Sequence, residues 1–344
     1  MSTADPGTCG TVPAPQARRD GPWLVADVGG TNARFALVDG PDGEPARVRC
    51  LPTREHAGLA EAAAAYLRRH APDVSPSAAC LAVAGPVTDG TFHLTNAGWP
   101  RGTFEEVRAR LGLPRLDVIN DFEALALALP RLRDEDLVPI GGELPSARHT
   151  VAVVGPGTGL GVAGLVPTPA GWVQLPGEGG QVDLPAGTDR EIEVVRLLRA
   201  EHGAATAELL LSGDGLTRLH RYLAMLDGDR PAALTAKEIC ERRDEPRCRE
   251  TLHMFCALLG SLAGNVALTL GARGGVYLGG GILPRIADVL RDSPFRARFE
   301  AKPPVEDYVR GIPTALIVHP GPALIGAAMR IARSLSATES LEPA

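Results

Sequence analysis

Residues 24–39 form an apolar run that leads through an acidic residue into a glycine-rich turn and then continues as a second apolar run. This pattern predicts a β-hairpin with chemistry at its bend. Asp27 lies in the first run, where an uncompensated charge would be costly, so we expect a cation or a hydrogen-bond donor to face it. Gly29 and Gly30 allow backbone angles closed to other residues and let main-chain N–H groups approach a ligand. The turn can therefore hold a phosphate, although a tight turn that uses glycine for geometry alone is an equal alternative.

The same pattern recurs at residues 151–166, with a Gly-Thr-Gly turn at 157–159 between two apolar runs. The recurrence favours two related halves that close on one polyphosphate. Residues 159–164 also match G-x-G-x-x-G, but a dinucleotide-binding fingerprint has to open a helix, and this run continues into Pro167. The chain has no G-x-x-x-x-G-K-[ST] motif, which excludes a P-loop protein.

Length and charge narrow the class of ligand. The 344 residues allow two domains, and 44% of them are hydrophobic, enough for a sizeable core. The net charge of −6 argues against nucleic acid or an anionic membrane as the main partner, so a small molecule is favoured. Six cysteines without a C-x-x-C pair indicate reduced thiols in a cytoplasmic protein. No signal peptide and no membrane-spanning run is predicted.

A second chemical signal lies at residues 116–129, where a short strand ends in Asn120 and Asp121 and an apolar helix follows. Open α/β sheets place their ligands at such strand ends. An ordinary Asp pKa of about 3.9 predicts an ionised Asp121 at pH 7. Asp121 is then either a general base towards a substrate hydroxyl or a simple N-cap, and the motif taken alone favours the cap.

Two further segments offer polar groups. The glycine-rich loop at residues 175–183 presents Glu178 and Gln181, either to a polar ligand or to solvent. Glu208 is expected in the first turn of a short helix, where it either interacts with the helix dipole or reaches a ligand. Three glycines at 279–281 form a strand-to-helix turn, which lets a ligand lie against bare backbone, and we assign this turn to adenosine.

The motifs DVGGTNAR, INDF, GTGLGVA, LPGEGG, LSG and GGVYLGGGILPR occur in that order. With them the chain resembles the bacterial glucokinase family of the hexokinase and actin-like superfamily, from about residue 23 to residue 333. The resemblance implies an α/β fold of two ribonuclease-H-like (actin-like ATPase) domains with the active site in the cleft between them. It also implies transfer of a phosphoryl group from ATP, with Mg²⁺, to the 6-hydroxyl of glucose.

The family's pattern also implies roles for single residues. Asp121 is the catalytic base, and Asp27 holds Mg²⁺ through water. The sugar-binding positions are Asn96, Asn120, Asp121, Glu178, Gln181 and Glu208. The nucleotide-binding positions are Ala26, Asp27, Val28, Gly29, Gly30, Thr31, Asn32, Gly157, Thr158, Gly159, Gly279, Gly280 and Gly281.

The resemblance further predicts the domain boundaries. Residues 22–130 and 323–335 are expected to form a small domain and residues 131–322 a large one. A disordered leader at 1–21 and a disordered tail at 336–344 flank them. The expected partners are a hexose and ATP, with no nucleic acid and no membrane, and the expected assembly is a homodimer.

One departure affects specificity, since the family usually has His where this chain has Gln181. Both side chains donate and accept hydrogen bonds, but Gln cannot become cationic near pH 6.5. A kinase for mannose, glucosamine or another hexose is therefore an alternative. The zinc-containing group of bacterial sugar kinases is excluded because no cysteine lies near Glu178. A catalytically silent sugar sensor and a nucleotide hydrolase of the same superfamily are further alternatives.

Overall fold

The computed structural model describes residues 21–94, 96–143 and 148–339. Most of the predicted leader and the last residues of the predicted tail lie outside these ranges. The strands are β1 Trp23–Val28, β2 Asn32–Val38, β3 Ala46–Pro52, β4 Ala78–Val83, β5 Val87–Thr88, β6 Thr91–Phe92, β7 Gly102–Thr103, β8 Leu116–Asn120, β9 Leu137–Gly141, β10 Val151–Pro156, β11 Leu160–Thr168, β12 Gly171–Leu175, β13 Val276–Leu278 and β14 Thr314–Ile317.

The helices follow the apolar periodicity of the sequence between these strands. They are α1 Leu59–His70, α2 Phe104–Leu111, α3 Asp121–Ala128, α4 Asp189–His202, α5 Gly213–Leu226, α6 Ala236–Glu241, α7 Pro246–Leu270, α8 Ala287–Asp292, α9 Phe295–Glu300, α10 Glu306–Arg310 and α11 Pro322–Glu339. Short 3₁₀ turns occupy Thr53–Glu55, Leu129–Arg131, Asp134–Asp136, Gly179–Gln181 and Leu283–Ile286. Helix α11 continues four residues past the end that the sequence predicts.

The two larger sheets share one strand order. In the first, β3-β2-β1-β4-β8, the first three strands are antiparallel neighbours, and β4 and β8 continue parallel to β1. In the second, β12-β11-β10-β13-β14, the same directions recur, and β9 adds an antiparallel strand at the far edge. Both predicted hairpins, β1-β2 and β10-β11, therefore lie at equivalent places. This duplication confirms the predicted fold class.

Helices α3 and α11 pack against each other and occupy the space between the sheets. Their shared core combines Val25 and Cys80 from the first sheet with Val153 and Leu165 from the second. Helix α3 contacts strands of both sheets, and α11 packs on β1 and β4. Any group at the N-terminus of α3 is therefore fixed with respect to both hairpins. The exact division into two domains stays a prediction.

Helix α7 is the core helix of the second half. It is long and apolar enough to cross a membrane, but 72% of its most apolar stretch is buried inside the protein. Its buried face includes Leu252, Phe255 and Leu259, which belong to the large core that also covers the second sheet. Packing against that core accounts for its hydropathy.

The close crossing of α3 and α11 depends on Gly326. A Cβ atom at this position would lie 1.7 Å from the carbonyl oxygen of Ala124. We expect Gly326→Ala to destabilise the protein by about 1–3 kcal/mol, because the two helices would have to separate. Urea unfolding followed by circular dichroism measures this loss.

Gly311→Ala is the matched control. Gly311 has a helical φ of −72°, and an added Cβ would meet no atom closer than 3.6 Å. Its substitution should change stability by no more than about 0.5 kcal/mol. Similar losses in the two variants would contradict the role of Gly326 in helix packing.

Candidate active site

Asp27 lies next to the C-terminal end of β1, largely buried. Burial raises the pKa of its carboxyl, and the charge of Arg34 partly offsets the rise. Arg34 stands directly opposite Asp27 on β2 and donates a hydrogen bond to the carbonyl of Pro320. The expected cation is therefore present, although the sequence alone did not identify Arg34. Ala26 and Val28 on either side are fully buried, so only their main chain can take part in binding.

Asn120, and not Asp121, caps helix α3. Its side-chain oxygen accepts hydrogen bonds from the N–H groups of Phe122 (2.9 Å) and Glu123 (3.4 Å), and its Nδ2 donates to the carbonyl of Gly85 (3.2 Å). Asp121 occupies the first helical position, and its Oδ1 also accepts from the N–H of Phe122 at 3.1 Å. Because Asn120 supplies the cap, Asp121 is left for another role.

The ordinary pKa assumed for Asp121 is wrong for the folded protein. Burial, and then repulsion from Asp27, raise the pKa of Asp121 to about 7, although main-chain hydrogen bonds oppose the rise. Strands β1, β4 and β8 run parallel, so the two acidic residues meet at the same edge of the sheet. A carboxyl with a pKa near 7 can exchange a proton with a ligand at neutral pH.

The first glycine turn does not use the special backbone angles that the sequence suggested. Neither Gly29 nor Gly30 has a positive φ. Gly29 N–H donates to the carbonyl of Asn32 at 2.9 Å. Gly30 is required for space, because a Cβ there would lie 2.7 Å from the carbonyl oxygen of Asn96. The structure thus places Asn96 beside this turn, while Thr31 at its tip is exposed.

The second turn is closed by its own backbone. Gly157 N–H donates to the carbonyl of Gly159 at 2.7 Å, and Gly213 N–H donates to the carbonyl of Gly157 at 2.9 Å. A Cβ on Gly157 would face Gly281 at 3.9 Å, with no closer contact. A Cβ on Gly159 would lie 2.6 Å from Oε2 of Glu208. Neither glycine has a positive φ, and the lack of a side chain at Gly159 leaves room for the Glu208 carboxylate.

Glu208 connects this turn to the glycine-rich loop. Its Oε2 accepts from Leu160 N–H at 2.9 Å, and its Oε1 accepts from Gln181 Nε2 at 2.8 Å. Its own N–H donates to the carbonyl of Gly180 at 2.8 Å. The prediction that Glu208 begins a helix is wrong, because residues 207–210 form a turn before α5. A turn lets the side chain reach back to β11, which a helical first turn would not require.

Glu178 lies on the same loop with a different environment. Its side chain is exposed and forms no hydrogen bond with any residue that the structure describes. Its carbonyl accepts from Gln181 N–H at 3.0 Å, and its backbone pairs with Val162 of β11. The loop is thus anchored by its main chain, and the Glu178 carboxylate remains available to a ligand.

Phe122 connects the two groups of site residues. Its ring packs where a Cβ on Gly161 would lie, only 1.9 Å from a ring atom. Phe122 follows Asp121 directly, and Gly161 follows Leu160, whose N–H holds Glu208. This contact fixes the N-terminus of α3 against β11. The Phe122 ring therefore holds the segment that carries Asp121 against the strand that follows the second turn.

A cavity of about 310 Å³ opens beside the second turn. Three predicted nucleotide-binding residues line it, together with five that the sequence did not identify: Gly157, Thr158 and Gly281, then Ala236, Lys237, Cys240, Ile282 and Arg285. Gly279 and Gly280 do not line it. Gly279 N–H donates to Val154 at 2.9 Å, and Gly280 has a φ of +86°. These two glycines shape the end of β13, so only Gly281 of the three faces the cavity.

Comparison with known proteins shows the family of this chain. A sequence model of the glucokinase family matches residues 24–334. A glucokinase of Aromatoleum aromaticum is 46% identical over 318 residues, which cover 92% of this chain and 96% of that protein. The crystal structure of a glucokinase from an Antarctic psychrotroph superposes with a TM-score of 0.80 at 38% identity, over 91% of this chain and 99% of the other.

A more distant structure shares the fold alone. The ROK family glucokinase of Streptomyces griseus, solved in complex with glucose and AMPPNP, superposes with a TM-score of 0.64 at 21% identity. The match covers 91% of this chain and all of that one.

The raised pKa of Asp121 predicts a pH-dependent stability. Between its unfolded pKa of about 3.9 and about 7, the folded protein binds more protons at Asp121 than the unfolded chain does. The contribution of Asp121 to stability is therefore greatest at low pH and is lost as the pH rises to about 7. We expect Asp121→Asn to gain stability relative to the wild type across this window, by at most about 1.4 kcal/mol per pH unit.

Unfolding free energies of the ligand-free proteins at pH 5, 6, 7 and 8 test this expectation. Asp134→Asn, at an exposed position, is the control and should follow the wild type at every pH. A constant difference between Asp121→Asn and the wild type from pH 5 to 8 would show that Asp121 titrates normally.

Proposed function

The chain belongs to the glucokinase family, and on this basis we propose which of its residues carry out the reaction. It is an enzyme that phosphorylates glucose, as its curated relatives do. ATP is the phosphoryl donor of the family. The observation that best supports a mechanism is the pairing of Asp121, with a pKa of about 7, and Asp27 at one edge of the first sheet.

We propose that Asp121 is the general base. An ionised Asp121 accepts the proton of the sugar 6-hydroxyl as the oxygen attacks the γ-phosphorus, and the bond from that phosphorus to the bridging oxygen of ADP breaks. A base with a pKa near the working pH is efficient, because it is ionised often enough and still binds a proton well. Burial and the Asp27 charge supply that pKa here.

The remaining sugar contacts follow from the orientation of the site. The exposed Glu178 carboxylate is free to accept from sugar hydroxyls, and Asn96 and Asn120 lie near the first turn and the helix cap. Glu208 already accepts from Gln181 and Leu160. A carboxylate can accept about four hydrogen bonds, so Glu208 retains capacity for a sugar hydroxyl. We propose that these side chains orient the hexose towards Asp121.

The nucleotide would lie across the two turns. Gly29 N–H and Gly157 N–H are used within their own turns, so the groups that would suit phosphate oxygens are the remaining backbone N–H groups of residues 30–32 and 158–159 and the hydroxyls of Thr31 and Thr158. The cavity at Gly281 continues from the second turn and accommodates the nucleoside. This arrangement supports the predicted roles of the two hairpins.

Mg²⁺ fits the first turn by the chemistry of its donors. Asp27 and Asp121 are carboxylates that repel each other, and a cation beside them would relieve that repulsion. The described part of the chain has no cluster of three or more His, Cys, Asp or Glu suited to a metal, so the protein would supply only one or two carboxylates. Mg²⁺ is commonly held in this way together with phosphates and water. We propose that Asp27 holds it through water, and the bound ion would neutralise phosphate charge.

The homodimer and the cytoplasmic location stay predictions drawn from the family resemblance and the composition. Light scattering of the purified protein tests the dimer. The basic test of the function is sugar-dependent ADP release across a panel of hexoses with and without Mg²⁺. ADP release that does not depend on sugar would favour a nucleotide hydrolase, and none at all would favour a sugar sensor.

Asp121→Asn should remove nearly all turnover while it leaves glucose affinity within an order of magnitude. General-base catalysis contributes about 10²–10⁴-fold, and the amide cannot accept the proton. Steady-state kcat and KM, with glucose binding by calorimetry, separate the two effects. A variant that retains more than about a tenth of wild-type kcat would exclude Asp121 as the base.

We propose that Gln181 determines sugar specificity, and its hydrogen bond to Glu208 allows this role to be tested by substitution. Gln181→His replaces a neutral donor by one that titrates near pH 6.5, so the ratio of glucose KM between variant and wild type should change between about pH 5.5 and 7.5. The ratio cancels the titration of Asp121, which both proteins share. The loss in affinity should stay within about 1–2 kcal/mol, the scale of one hydrogen bond.

The same two proteins test the alternative substrate. If another hexose has a higher kcat/KM than glucose in the wild type, and glucose ranks first in Gln181→His, then Gln181 marks a kinase for that hexose.

A further inference from the structure

The side chains that line the cavity beside Gly281 affect which purine base of a phosphoryl donor can bind there. This inference rests on the proposed function of the site. Gly157 and Thr158 form its phosphate end. Helix α6 contributes Ala236, Lys237 and Cys240, and the turn after β13 contributes Ile282 and Arg285. The purine of a nucleotide whose phosphates lie on the second turn would enter between these two elements.

The walls of this cavity are apolar. Ala236, Cys240 and Ile282 offer aliphatic or thiol surface that packs on the faces of any purine. Burial raises the pKa of the Cys240 thiol, so it remains neutral at pH 7. These contacts hold a ring without distinguishing adenine from guanine.

The charged side chains of the lining are both hydrogen-bond donors. The side chain of Arg285 is exposed and forms no hydrogen bond or ion pair with the residues described, while its main-chain N–H donates to the carbonyl of Ile282 at 3.0 Å. Lys237 is held only by a loose ion pair with Glu241, at 3.7 Å between two exposed side chains. Among the described residues, the side chains of the lining include no carboxylate, carboxamide or imidazole, and their one hydroxyl, that of Thr158, lies at the second turn.

Adenine and the 6-oxopurines differ in the substituent on C6, to which the donor side chains of this lining could hydrogen-bond. The 6-amino group of adenine is a donor and needs an acceptor, whereas the 6-oxo group of guanine and hypoxanthine is an acceptor. Arginine pairs readily with O6 and N7 of guanine, and adenine offers it only N7 on that edge. We propose that this enzyme does not select adenine, and that GTP and ITP serve as phosphoryl donors alongside ATP.

The reaction is the same for each donor. The sugar 6-oxygen forms a bond to the γ-phosphorus, the bond from that phosphorus to the β–γ bridging oxygen breaks, and the sugar proton moves to Asp121. GDP or IDP leaves in place of ADP.

The test is kcat/KM for ATP, GTP and ITP at saturating glucose, with glucose 6-phosphate as the common readout. The kcat/KM values for GTP and ITP should each lie within about tenfold of the value for ATP, because the donors differ only in the few contacts that they make at the purine 6-position. A preference for ATP of a hundredfold or more would overturn the proposal. Absence of glucose phosphorylation with ATP would instead refute the proposed function, so the two failures are distinguishable.

Variants of Arg285 identify the group that reads the base. Arg285→Met should lower kcat/KM for GTP and ITP about fivefold more than for ATP, because the acceptor O6 loses its donor. Arg285→Glu supplies an acceptor for the 6-amino group and should shift the preference towards ATP. Equal losses for all three donors in both variants would show that Arg285 binds the common ribose or phosphates, which would overturn the role given to it.

Arg291→Met is the matched control. Arg291 is an exposed arginine on α8 that does not line the cavity, so its removal changes the net charge equally. It should leave the ratios among the three donors unchanged. Melting temperatures of all variants verify that they are folded.

Discussion

The structure depends on two carboxyl groups that are buried at one edge of the first sheet. Asp27 is the penultimate residue of β1 and Asp121 directly follows β8, and β4 separates the two strands. Because these strands are parallel, their carboxyl ends coincide and the two side chains share a poorly solvated space. Burial, and then repulsion from Asp27, raise the pKa of Asp121 to about 7. Ionising both carboxyl groups is therefore unfavourable in the free protein. A bound cation and a hydroxyl substrate would each stabilise the charge that burial disfavours.

Helix α3 fixes the position of Asp121 relative to the second sheet. Asn120 satisfies its first N–H groups, so the helix begins at a fixed residue. Gly326 lets α11 approach its back, and Gly161 lets Phe122 lie on β11. Each contact requires the absence of a side chain on the partner. Small residues at close crossings therefore hold the acidic residue in register with the second hairpin, which a longer connection through loops would not achieve.

Much of the architecture follows from local pattern. The two glycine-rich hairpins and the helix after Asp121 are visible as periodicities, and the matching strand orders bear out the inferred duplication. The ionisation of Asp121 is not visible, because it depends on burial and on a residue 94 positions earlier. Gly30 and Gly159 were predicted as nucleotide-binding positions, whereas their close contacts with Asn96 and Glu208 could not be predicted, since only the fold brings those residues against them. Arg285 and Lys237 also meet at the cavity only through tertiary packing.

Glu208 shows why the two ligand sites cannot be understood separately. One of its carboxylate oxygens holds the main chain of Leu160, directly after the second turn, and the other holds Gln181 on the glycine-rich loop. Its N–H binds the same loop at Gly180. A displacement of the loop therefore has to break a charge-assisted hydrogen bond or move the turn with it, and such bonds are roughly twice as strong as neutral ones. The carboxylate thus makes the position of the turn that we propose to bind phosphate depend on the position of the loop that we propose to face the sugar.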